Sequence, residues 1–123
     1  MRATPGRLLK DLRFLGFLFE SLVVRDLRVH AQAADATVLH YRDNTGLEVD
    51  AIVETAAGRW AGLEIKLGIG QVDEGTASLL KFDERVDKRT LGEPACLAVI
   101  VGTGYGYVRK DGIGVIPIGA LGP

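Results

Sequence analysis

Asp50 is followed fourteen residues later by Glu64, and Glu64 by Lys66, in the runs Leu47-Glu48-Val49-Asp50-Ala51-Ile52-Val53 and Gly62-Leu63-Glu64-Ile65-Lys66-Leu67. Two carboxylates and an amine set into apolar segments are costly to hold together unless something uses them. Both runs alternate with a period of two, the pattern of half-buried strands. Thr55-Ala56-Ala57-Gly58-Arg59 between them reads as a hairpin loop. With Glu54 opposite Trp60, antiparallel counting puts Asp50 across from Glu64 and Glu48 across from Lys66, all on one face. Leu47, Val49, Ala51 and Val53 then join Leu63, Ile65 and Leu67 on the other, core-facing side.

Like charges directly opposed on one face repel. A hard divalent cation, Mg²⁺ or Mn²⁺, relieves that repulsion, because it takes carboxylate oxygens, keeps several waters and polarises phosphate. Lys66 then adds a compact positive charge that can orient a water or steady a reacting phosphate. An ordinary reading stands beside this one: Glu48 and Lys66 form a cross-strand ion pair while Asp50 and Glu64 face solvent.

The helix that must complete such a site runs from about Phe14 to Ala34. Phe17, Val23, Val24 and Leu27 form its apolar stripe, and Glu20 falls within that stripe. A carboxylate so placed must be paired, metal-bound or protonated. A third ligand pointing toward the strands fits, as does a simple hydrogen bond to a hydroxyl.

Residues 1–13 carry Arg2, Arg7, Lys10 and Arg13 and form a basic lead-in, either opening a helix or as a loose arm. After Asp35, Thr37 to Arg42 reads as a first strand and Asp43-Asn44-Thr45-Gly46 as a turn. Beyond Gly68-Ile69-Gly70, a second helix is expected from Val72 to about Arg89, with Leu79, Phe82 and Val86 inward. Ala95 to Val101 is a continuous apolar run suited to a buried strand, and Cys96 within it reads as a small core residue. Tyr105 to Arg109 and Ile113 to Ile118 form a terminal hairpin. The expected class is therefore α/β: helix, three-strand sheet, helix, strand, then a C-terminal β-hairpin.

Other candidates are weaker. Lys81, Arg85, Lys88 and Arg89 share a helical face that could follow a phosphate backbone, but Asp83, Glu84 and Asp87 interleave with them, so a solvated surface is the better reading. Gly102-Thr103-Gly104-Tyr105-Gly106 lacks the lysine and helix of a phosphate-binding loop and is a turn. A formal charge of −1 leaves any nucleic-acid contact to a local patch. One cysteine and two histidines exclude an intrachain disulfide and give no zinc-like spacing. Charged residues break up each apolar span before it reaches membrane length, so a cytoplasmic protein with no membrane contact is expected.

The order of elements, with Glu20, Asp50 and Glu64-x-Lys66, resembles the restriction-endonuclease-like PD-(D/E)XK superfamily. The stretches Leu18-Phe19-Glu20, Tyr41-Arg42-Asp43, Glu48-Val49-Asp50, Leu63-Glu64-Ile65-Lys66 and Pro117-Ile118-Gly119-Ala120-Leu121 are similar to the C-terminal domain of unknown function found in many bacterial and archaeal AAA-type ATPases. That resemblance implies a nuclease-like domain over 14–123 that hydrolyses DNA phosphodiesters. Asp50, Glu64 and Glu20 would be metal ligands for Mg²⁺ or Mn²⁺, and Lys66, with Asp50 and Glu64, would form the catalytic set. DNA, an ATPase module and a second copy of the chain are the partners it implies. The alternative is a non-catalytic DNA- or protein-binding module of an ATPase system. Val49 stands where the superfamily's name has a proline, and the chain carries no nucleotide-binding P-loop.

Overall fold

The computed structural model describes residues 5–121, with the side chains of 5–9, 11–13, 17, 120 and 121 outside that description. Helix α1 (Pro5–Ala33) is followed by strands β1 (Ala36–Arg42), β2 (Glu48–Thr55) and β3 (Trp60–Lys66). Helices α2 (Val72–Arg85) and α3 (Lys88–Leu91) then lead to β4 (Cys96–Val101), β5 (Tyr107–Val108) and β6 (Gly114–Pro117). The six strands form one mixed sheet in the order β1-β2-β3-β4-β6-β5. β3, β4 and β6 run parallel, while β1–β2, β2–β3 and β5–β6 are antiparallel.

The helix expected from about Phe14 starts at Pro5, a residue that suits a first helical turn because its missing N–H has no partner there anyway. It ends where Asp35 adopts a left-handed conformation (φ 57°). Val23, with Phe19, Val24 and Leu27 beside it, packs on Ala51, Leu63, Ile65, Ala98 and Ile100. Phe17, expected in the same stripe, lies outside the described side chains.

The expected second helix is two. α2 stops at Arg85 because Val86 turns to an extended backbone (φ −69°, ψ 139°), and Asp87 then caps α3 by accepting a hydrogen bond from the Arg89 N–H. Leu79 and Phe82 are buried and Val86 packs beside them, as expected. Their partners are Val49, Trp60, Leu97, Val99, Val101, Ile113 and Val115, on the sheet face opposite α1. Both faces of the sheet are thus covered, which explains the unbroken apolar run of β4. Trp60 ties α3 down by donating its indole N–H to the carbonyls of Leu91 and Gly92, at 3.1 Å each. Cys96 is corrected from core to exposed: it is the first residue of β4 and lies at the rim of the sheet.

A single core-facing side for Leu47, Val49, Ala51 and Val53 is also overturned. Leu39 pairs with Ile52 but Tyr41 pairs with Val49, so His40 on β1 is opposed by two residues of β2, Asp50 and Ala51. This β-bulge breaks the alternation. Ala51 and Val53 pack under α1, whereas Val49 and Leu47 pack under α2.

Glycine lets α2 come close to β3. A Cβ at Gly75 would lie 3.2 Å from Val99 Cγ2, 3.3 Å from Glu64 Cβ and 3.4 Å from Lys66 Cγ. Gly75→Leu should therefore lever α2 off β3 and cost about 1 to 3 kcal/mol, the usual range for overpacking a core. Urea unfolding at neutral pH measures the loss.

Candidate functional site

The β2–β3 register is the one expected from the hairpin: Glu54 pairs with Trp60, Val53 with Ala61, Ile52 with Gly62 and Ala51 with Leu63. Pairing stops there. At the bulge β2 turns away from β3, and the Ile65 N–H, which the ladder would have satisfied, donates instead to Asp50 Oδ2 at 2.8 Å. The Asp50 carboxylate thus fills the gap between the two strands.

From that gap Asp50 meets acids from both faces of the sheet. Glu64, on the α2 side and only 3 % exposed, has its carboxyl pushed up to about 9, first by burial, then by the hydrogen bond to Asp50 and by its charge. Glu20 of α1, half-buried, is also raised, again by burial first and then by the charge of Asp50 and a hydrogen bond to it. Lys66 opposes both shifts, and His40 opposes that of Glu20. Two acids, Glu20 from α1 and Glu64 from β3, thus converge on Asp50 of β2, with the Lys66 amine beside them.

Two clefts open onto this group. The α2-side cleft, of about 490 Å³, has Asp50, Glu64 and Lys66 as its floor and Thr45, Lys81 and Arg85 among its walls. The α1-side cleft, of about 530 Å³, is lined by Glu20, Arg25, Arg28, His40 and Asp50, with apolar side chains around them. Asp50 lines both.

The turn between β1 and β2 forms one wall and is built around Asp43. Its Oδ1 accepts from the Thr45 N–H (2.9 Å), the Thr45 hydroxyl (2.6 Å) and the Leu47 N–H (3.1 Å). Its Oδ2 accepts from the Tyr41 hydroxyl (3.2 Å) and from Arg85 Nη1 (3.1 Å), which fastens the turn to α2. These bonds, led by the Thr45 hydroxyl, hold the Asp43 carboxyl down at about 2. Sequence reasoning missed Asp43 as the hub of this wall, although an Asp-x-Thr-Gly turn was the available signal.

The Glu48–Lys66 ion pair of the ordinary alternative reading does not form. Lys66 Nζ lies 3.6 Å from Glu74 Oε1 of α2, and Glu48 pairs with Arg42 at 3.3 Å and approaches His40 at 4.0 Å. Glu48 and Lys66 share only the lining of the α2-side cleft. The basic face expected on the second helix is divided as well: Lys81 and Arg85 turn to the cleft, whereas Lys88 pairs with Asp83 (3.1 Å) and Glu93 (3.4 Å).

Among the described residues no group of three or more His, Cys, Asp or Glu side chains is arranged to hold a metal ion. The three carboxylates are neighbours through Asp50 rather than a preformed cage. That suits Mg²⁺ or Mn²⁺ better than a tightly caged metal, because Mg²⁺ is commonly held by one or two carboxylates and keeps its waters. The donor set, hard oxygens under mutual repulsion, fits such an ion.

The family described as "Domain of unknown function (DUF4143)" matches residues 15–121. The chain belongs to this family. Its domain is commonly the C-terminal domain of AAA-type ATPases. No curated protein and no solved structure matches the chain. Among the described residues no helix is long and apolar enough to cross a membrane.

Because Glu64 keeps its proton in the fold up to about pH 9 and loses it near 4.5 when unfolded, its contribution to stability is complete below pH 4.5 and is lost as pH rises through 9. Over that window stability should fall with a slope approaching ~1.4 kcal/mol per pH unit, the slope of one proton. Glu64→Gln should remove most of the slope, as read by denaturant unfolding across the pH range without metal.

Proposed function

We propose that this domain is a metal-dependent nuclease with a restriction-endonuclease-like core, hydrolysing phosphodiesters of DNA at the Asp50–Glu64–Lys66 site. The observation that carries the reading is the meeting of Glu20, Asp50 and Glu64 from one helix and two strands, beside Lys66, with Asp50, Glu64 and Lys66 lining one cleft and Glu20 and Asp50 another. Holding three acids together, with Glu64 buried and Glu20 and Asp50 partly so, is costly unless a cation or a proton compensates, so a fold that keeps them has a use for them.

In this reading Asp50 and Glu64 hold Mg²⁺ or Mn²⁺, with Glu20 as auxiliary ligand or holder of a water. Such an ion supplies charge neutralisation, polarises the phosphate and makes a bound water more acidic. Lys66, anchored near Glu74 and only 21 % exposed, orients the attacking water and stabilises charge gathering on the phosphoryl oxygens. The water oxygen forms a new bond to phosphorus as the bond to the leaving ester oxygen breaks. The proton given up by the water balances the one the leaving oxygen gains. Glu64 would have to give up the proton that burial favours before it could hold such an ion.

A second reading has its own support in the family's usual place at the C-terminus of AAA-type ATPases. There the domain would be a non-catalytic module holding DNA or a protein for the ATPase. The two differ in their use of metal.

With Mg²⁺ or Mn²⁺ the purified chain is expected to cut at least one of single-stranded, duplex and branched DNA. Lys66→Ala should lower the rate by about 100-fold or more, the scale of losing a group that stabilises transition-state charge. Absence of cleavage on every substrate with either ion would sink the nuclease reading. If calorimetry also registers no metal uptake, the binding-module reading takes its place.

A further inference from the structure

Most of the charged side chains that line the α2-side cleft are already paired. Glu48 is held by Arg42 at 3.3 Å, Glu74 faces Lys66 at 3.6 Å, and Arg85 is committed to Asp43 and Thr45 at 3.1 and 2.6 Å. What remains is Asp50 and Glu64 on the floor and Lys81 on the wall. Lys81 is exposed and, among the described residues, makes no ion pair. Glu84, one turn further along α2, does not line the cleft.

The course of α2 fixes where that charge stands. A Cβ at Gly75 would lie 3.3 Å from Glu64 Cβ and 3.4 Å from Lys66 Cγ, so Gly75 marks the level of the floor. Lys81 comes later on the same helix, about 9 Å further along its axis at a rise of about 1.5 Å per residue. Helical side chains lean toward the N-terminus, which inclines the Lys81 stem back toward the floor. Ser78, half-buried, lies between the two levels on the same wall and makes no hydrogen bond that would occupy its hydroxyl.

We infer that Lys81, helped by the Ser78 hydroxyl, holds the phosphate next to the reacting one and so sets where a nucleic-acid strand lies along α2. This rests on the reading that the floor takes a metal ion and a phosphodiester, and adds the residues that position the strand. A cation on the floor answers Asp50 and Glu64. A strand whose reacting phosphate sits over that cation carries its next negative charge along the wall, where Lys81 is the cation without an acid. A compact ammonium on a flexible stem takes a phosphate as a point charge, and a serine hydroxyl donates one hydrogen bond to it. Contacts of this kind fix register and orientation without reading sequence.

Two measurements test it, both on the purified chain with Mg²⁺. In steady-state cleavage of a labelled DNA oligonucleotide, Lys81→Ala should raise KM about tenfold, the scale of one hydrogen bond to a charged group, and act far less on kcat, because the contact is made before and during the reaction alike. In fluorescence anisotropy on a Lys66→Ala background, where no strand is consumed, Lys81→Ala should flatten the slope of log affinity against log salt by about 0.7 to 0.9, the share of one phosphate contact. Lys81→Arg should restore that slope. Ser78→Ala should weaken binding and leave the slope as it is, since a hydroxyl carries no charge. Lys110→Ala, in the turn between β5 and β6 and outside the cleft, should change neither measurement. Matched melting curves by circular dichroism exclude unfolding.

An unchanged KM and salt slope in Lys81→Ala, or an equal effect of Lys110→Ala, would overturn the assignment. If cleavage dependent on Lys66 accompanied such a result, hydrolysis would stand without it. A slope that falls as stated, with no cleavage by the wild type, would keep Lys81 as a phosphate holder and remove the hydrolysis. Absence of both cleavage and binding would remove both.

Discussion

The hydrogen bond from the Ile65 N–H to Asp50 Oδ2, 2.8 Å long, is the constraint on which the rest of the site depends. It stands in for a ladder bond at the point where the bulge carries β2 away from β3. A backbone donor left without a partner there would cost about 1 to 3 kcal/mol. A carboxylate answers it from within the sheet plane, and from that position alone it can meet Glu64 on one face and Glu20 on the other. The bulge and the acid are therefore one device. Without the extra residue in β2, Asp50 would point to a single face and Glu20 would have no counterpart.

Electrostatics around that carboxylate follow from its position. Asp50 accepts from the Ile65 amide, and burial, then the charge of Asp50 and hydrogen bonding to it, raise the carboxyls of its two acidic neighbours. Glu64, the deepest, responds most, up to about 9. The surrounding structure holds the acids in place against their repulsion. Gly75 brings α2 against Glu64 and Lys66, Asp43 pins the β1–β2 turn to Arg85, and α1 brings Glu20 in with Val23, Leu27 and Ala31 buried or partly buried along the same helix face. Two of these restraints act through α2 and the third through α1, on the opposite face of the sheet.

Two of the family-bearing stretches acquire distinct physical roles. Tyr41-Arg42-Asp43 builds a wall: Tyr41 packs edge-on to Phe82 with ring centroids 4.7 Å apart, and its hydroxyl meets Asp43. Leu63-Glu64-Ile65-Lys66 builds the floor, its apolar members under α1 and its charged members under α2. Period two within β3 separates packing from chemistry in four residues.

Local pattern alone was enough to read several features from the sequence. Alternation around Leu63 to Lys66, the Thr55–Arg59 turn and the apolar run from Leu97 to Val101 all encode their geometry within a few residues, so the β2–β3 register and the buried strand follow directly. Glu20 was legible as an acid inside an apolar stripe, and the terminal hairpin from its glycine-containing turn. Tertiary structure decided the remainder. A bulge depends on the partner strand, so the split of Val49 from Ala51 between two faces has no local signature. The end of α2 at Arg85, the engagement of Lys66 by Glu74 rather than Glu48, and the exposure of Cys96 all depend on distant elements. Residue types and spacing determined which acids and which amine were available; only packing from both faces of the sheet decided that Asp50 would stand between them, because one side chain touches both layers only where two strands part.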